Sequence, residues 1–73
     1  MGRFGNISGK EALDAFTKAG WQTRAQSGSH VMMTKAGMRA NLSVPLHREL
    51  SIGTLRALIR VAGMTVEEFV ALL

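Results

Sequence analysis

The chain has 73 residues, 47% of them hydrophobic, with a formal net charge of +4 and no cysteine. A chain of this length makes one domain with a single shared core, and without cysteine it forms no disulfide, no thiolate metal site and no thiol nucleophile. No apolar run approaches the roughly 20 residues that span a bilayer, and Met1 to Asn6 lack both a signal-peptide stretch and the myristoylation pattern, so a reducing cytoplasm is the expected compartment.

Ser8-Gly9-Lys10-Glu11 has the form of a capping box, with Ile7 placed to pack back as a staple, so a first helix is expected from about Gly9. Ala12, Phe16 and Ala19 recur at helical spacing, Leu13 widens the apolar stripe, and Gly20 ends the helix. Trp21 to Gln26 alternates as a strand with one wet face does, although Trp21 itself, following a helix-ending glycine, reads as core. Ser27-Gly28-Ser29 then reverses the chain. His30 to Thr34 reads as a second strand, Lys35-Ala36-Gly37 as a turn, and Met38 to Val44 as a third strand that Pro45, lacking an amide donor, brings to an end. Leu46 to Leu50 connects to Ser51, the cap of a second helix in which Leu55, Leu58, Ile59 and Ala62 share one face before Gly63 stops it. Thr65-Val66-Glu67-Glu68 is a further capping box opening a short third helix, with Val66, Phe69, Val70 and Leu73 as its apolar stripe.

The order α-β-β-β-α-α predicts an α+β fold: a three-stranded antiparallel meander with helices on one face and the other face open. Alternation puts Thr23, Ala25, Val31, Met33, Ala40, Leu42 and Val44 toward the helices. Gln22, Arg24, Gln26, His30, Met32, Thr34, Arg39, Asn41 and Ser43 then line the open face. A slip of one residue would invert a strand, so the face given to His30 depends on register.

Charge is unevenly distributed. Between Trp21 and Arg60 the bases Arg24, Lys35, Arg39, Arg48, Arg56 and Arg60 face a single acid, Glu49, and a polyanion or an acidic protein is the natural complement. His30 follows the tight turn in the middle of this stretch. An imidazole takes up and releases a proton near neutral pH, and RNA supplies its own nucleophile in the ribose 2′-hydroxyl. A proton-transferring His30, with Gly28 and Ser29 amides and the cations Arg24, Lys35 and Arg39 around the phosphate, therefore suits metal-independent scission of RNA. His47, beyond Pro45, is either a second partner in that chemistry or a residue satisfied within its own loop. The two histidines are too far apart in sequence for metal-ligand spacing, and nucleophile-elbow, P-loop and dinucleotide motifs are absent, so no metal or other cofactor is expected. The methionines read as core filling, and the aromatic set is too small for a base-stacking reader.

Nearly the whole chain after Ile7 resembles the HicA, or YcfA-like, family of mRNA interferase toxins. The residues that carry the resemblance are Ser8-Gly9-Lys10-Glu11, Ala19-Gly20-Trp21, Gly28-Ser29-His30, Val44-Pro45-Leu46-His47, Leu50 with Gly53-Thr54-Leu55-Arg56, and Ala62 to Phe69. The resemblance implies a fold like a double-stranded-RNA-binding domain, cleavage of mRNA in the cytoplasm, and neutralisation by a HicB-type antitoxin, the chain being a monomer when free and part of a hetero-oligomer when neutralised. It places His30 at the family's catalytic histidine and Gly28 and Ser29 at the neighbouring turn. It also matches His47 to a recurrent position. One domain over residues 1–73 is expected, with 1–6 as a flexible leader outside the family pattern. The competing expectations are a non-catalytic RNA-binding domain, which would need the cations but not His30, and a basic protein-interaction module.

Overall fold

Each helix begins where the sequence supplies an oxygen to otherwise free amides. The computed structural model describes residues 4–73, so residues 1–3 of the expected leader lie outside it. Helix α1 (Gly9–Lys18) opens on the expected capping box: Ser8 Oγ accepts from the Glu11 amide at 3.0 Å, and Glu11 Oε1 accepts from the Ser8 amide at 2.9 Å. It closes as a Schellman motif, the Gly20 amide donating to the Thr17 carbonyl and the Trp21 amide to that of Phe16. Helix α2 (Ile52–Val61) is capped by Ser51 and ends in the same way at Gly63 and Met64. The short α3 (Val66–Val70) starts from the second capping box, Thr65 with Glu68.

Three antiparallel strands lie in the order β1 (Gln22–Ser27), β2 (His30–Thr34), β3 (Leu42–Pro45). In β2 and β3 alternation buries Val31, Met33, Leu42 and Val44 and leaves His30, Met32 and Ser43 exposed, so the helices cover one face and the other is open. Helices α1 and α2 both pack on β3, and α3 packs on α2. The α+β arrangement and its element order are those the sequence implies. Phe16 and Phe69, both fully buried, join α1 to α3 with ring centroids 5.1 Å apart at an interplanar angle of 47°. Phe4, inside the expected leader, is half-buried against the core, and the Arg56 guanidinium lies 5.5 Å from its ring centroid.

The sheet departs from the sequence reading in two places. All of β1 is exposed, including Thr23 and Ala25, which were expected to face the helices. For Ala25 the cause is a β-bulge at Arg24: Thr23 stands opposite Met33, on the expected side, yet Ala25 stands opposite Met32 and Gln26 opposite Val31. One extra residue inverts the alternation beyond it, so Ala25 shares the open face with Met32 while Gln26 lies on the helix side. The third strand begins at Leu42 rather than Met38. Residues 38–41 belong to the connection, where Met38 donates its amide to the Lys35 carbonyl and Ala40, expected in the core, is exposed. Arg39 and Asn41 therefore lie outside the strand as well. The first strand starts at Gln22, and Trp21 before it is buried, its indole N–H without an acceptor among the described residues.

Because α3 is only one turn and a half long and docks through one fully buried ring, Phe69→Ala is expected to cost about 3–5 kcal/mol, a large part of the stability of so small a domain. Urea unfolding followed by circular dichroism measures this, and a loss below about 1 kcal/mol would contradict the docking role.

Candidate active site

Gly28 and Ser29 form the entire loop between β1 and β2, with Ser27 paired to His30. Hairpin loops of two residues must match the right-handed twist of their strands. Gly28 does so with φ 60°, while Ser29 keeps an ordinary φ, as in a type II′ turn. A Cβ at Gly28 would meet nothing within 4 Å, so backbone conformation rather than space explains the glycine.

The turn delivers His30 as the first residue of β2, exposed on the open face and opposite Pro45 of β3. His47 stands two residues beyond Pro45, so its side chain returns to the face of His30 at the diagonal position, where side chains from neighbouring strands meet. The two rings lie 6.3 Å apart, centroid to centroid, edge to face at 73°. Both are solvent-exposed. The sequence left open whether His47 belongs with His30 or only to its loop, and the structure brings the imidazoles together.

Three backbone bonds hold this arrangement. The Leu46 amide donates to the Ser29 carbonyl at 2.6 Å, the Gly9 amide to the His47 carbonyl at 2.9 Å, and the Leu50 amide to the Ile7 carbonyl at 2.8 Å. The start of α1 is thus tied to the segment that carries His47. Gly9 is needed for that approach, since a Cβ there would collide with the Pro45 carbonyl oxygen and stand 2.7 Å from Leu46 Cα.

The cations expected around His30 are more dispersed. Arg24 occupies the bulge of β1, an edge strand of the sheet. Lys35 follows the opposite end of β2 from His30, roughly 15 Å along the strand, and its aliphatic chain runs past Gly20, where a Cβ would lie 3.2 Å from Lys35 Cε. Arg39 is exposed in the connection beyond it. The bases near the imidazoles are others. A depression of about 590 Å³ is lined by Ser8, Lys10, Leu13, Leu46, His47 and Arg48. In the sequence Lys10 stands out only within a capping box and Arg48 only within the net charge. Among the described residues no group of three or more His, Asp or Glu is placed to share a metal ion.

A family model described as the HicA toxin of bacterial toxin-antitoxin matches residues 9–64, from the first residue of α1 to Met64 just past α2. The chain belongs to the HicA toxin family. It is therefore a toxin of a toxin–antitoxin system, and an antitoxin is its partner. No curated protein sequence matches the chain. Among the described residues no helix is long and apolar enough to cross a membrane.

Gly9→Ala and Gly28→Ala are expected to act differently. The first forces backbone apart, with an overpacking cost of about 1–3 kcal/mol and a displaced His47. The second costs about 1–2 kcal/mol through its left-handed backbone alone. Urea unfolding gives the energies, and the imidazole NMR signals of both histidines should shift in Gly9→Ala; unchanged signals there would argue against the tether.

Proposed function

We propose that this HicA-family toxin is an endoribonuclease that cleaves mRNA by proton transfer at His30, and that a HicB-type antitoxin neutralises it by covering the open face of the sheet. The observation that carries the reading is the pair of exposed imidazoles, His30 and His47, facing each other on that uncovered face. In the reaction the ribose 2′-oxygen attacks phosphorus and the bond to the 5′-oxygen breaks, leaving a 2′,3′-cyclic phosphate and a 5′-hydroxyl. One neutral imidazole accepts the 2′-hydroxyl proton. The other, protonated, donates to the departing 5′-oxygen.

Negative charge accumulates on the non-bridging oxygens as the phosphorane forms. The Gly28 and Ser29 amides, at a turn whose glycine takes a left-handed conformation, can donate to them as a backbone nest does. Arg24, Lys35 and Arg39 lie farther along the chain from the imidazoles and contact phosphates away from the scissile one. Proton transfer and charge stabilisation complete the reaction without a cofactor. The free toxin acts in the cytoplasm as a monomeric single domain and is silenced as a hetero-oligomer.

His30→Ala should abolish cleavage of single-stranded RNA and growth arrest on expression without antitoxin, while the melting temperature stays put because the ring is exposed. Cutting at the wild-type rate by that variant would refute the assignment. His47→Ala should lower kcat by about 10²–10⁴-fold. A kcat unchanged in His47→Ala would leave His30 acting alone.

A further inference from the structure

The depression beside His47 has a chemical character of its own. Its deeper wall is apolar, since Leu13 and Leu46 are half-buried against the core, whereas Lys10, His47 and Arg48 are exposed around it. No acid lines it. Its volume of about 590 Å³ lies within the usual range for pockets that hold small organic groups. His47 belongs to both places: its ring lies 6.3 Å from that of His30, and the residue lines this depression.

Lys10 supplies an independent argument. It stands in the first turn of α1, where the helix macrodipole is positive and favours acids. A cation there works against the helix, and a residue that weakens its own element without a partner among the described residues points to a ligand. The ligand that suits two cations above an apolar wall is a nucleotide: base against the leucines and the imidazole face, phosphate toward Lys10 and Arg48.

We infer that this depression is a nucleotide subsite, holding the residue of a single-stranded RNA that adjoins the scissile phosphate between His30 and His47. The inference rests on the ribonuclease reading above and extends it to Lys10, Arg48, Leu13 and Leu46. Occupancy of the subsite fixes the RNA relative to the two imidazoles, so binding energy won away from the reacting bond aligns the 2′-oxygen with phosphorus.

The test measures binding of a fluorescently labelled single-stranded RNA to the full chain in a His30→Ala background, over a range of salt concentrations. Each phosphate contact on a single strand contributes a slope of about 0.7 to the dependence of log K on log salt. Lys10→Ala and Arg48→Ala should each reduce the slope magnitude by about that amount. Arg60→Ala, which removes the same charge from α2 away from the depression, should leave it unchanged. Lys10→Ala should also melt no lower than its parent, which a structural role for the lysine would not allow. With His30 restored, the Lys10→Ala/Arg48→Ala pair should raise KM for RNA that extends past the scissile bond on both sides and leave KM unaltered for a dinucleotide, whose one phosphate is the scissile one and which offers no outer phosphate to Lys10 and Arg48. Slopes unaffected by both substitutions, or reduced equally by Arg60→Ala, overturn the subsite while His30-dependent cleavage still stands. A chain that neither binds nor cuts RNA overturns the ribonuclease reading, and the subsite falls with it.

Discussion

The pairing of β2 with β3 is the constraint on which the exposed site depends. With His30 opposite Pro45, alternation sends Val31, Met33, Leu42 and Val44 into the core and leaves His30 in solvent. A slip of β2 by one residue would bury the imidazole and expose Val31 and Met33. Register is therefore enforced by the hydrophobic effect across the whole pair, and it is trimmed at its end by the bond between Leu46 and the Ser29 carbonyl. Stability and the placement of the chemical group arise from the same pairing.

The start of α1 joins local helix formation to the site. Its first amide has no partner within the helix and finds the His47 carbonyl instead. Capping and positioning are thus one interaction. The close approach it requires leaves no room for a side chain at Gly9, whose neighbours are backbone atoms that cannot rotate away. The same turn of helix exposes Lys10 next to His47, so one short segment caps α1, sets the height of an imidazole and supplies a cation. The acids nearby do not line the depression: Glu11 serves in the capping box with Ser8, and Glu49 is the only acid between Trp21 and Arg60.

What the sequence made legible was local or strongly periodic. Both capping boxes, the helix-ending glycines, the chain reversal at Gly28 and the alternation of β2 each follow from interactions within a few residues, and the structure has them all, with Ser27 paired in β1 rather than part of the turn. The bulge at Arg24 was not visible because Gln22 to Gln26 carries so weak an apolar pattern that either face assignment satisfies it. With β1 exposed throughout, burial exerts no pull on its register. The third strand was overextended because Met38, Ala40 and Leu42 alternate convincingly, although only Leu42 pairs with β2. The closeness of His47 to His30 depends on a strand register and a helix contact between segments far apart in sequence, and periodicity does not encode that distance. Lys10 did carry a signal, its unfavourable sign at a helix start, yet the capping box around it accounted for the segment without it.

The bare first strand has a mechanical consequence. β1 is held by its ladder to β2 and every residue in it is exposed, so separating it from the sheet exposes little apolar surface. Free energies of local opening follow such burial, and amide exchange in this ribbon should accordingly be faster than in β2 or β3. His30 belongs to the slower partner and stays clamped against Pro45 while the outer ribbon breathes. The hairpin therefore has one rigid arm bearing the imidazole and one loose arm bearing Arg24, joined at Gly28 and Ser29.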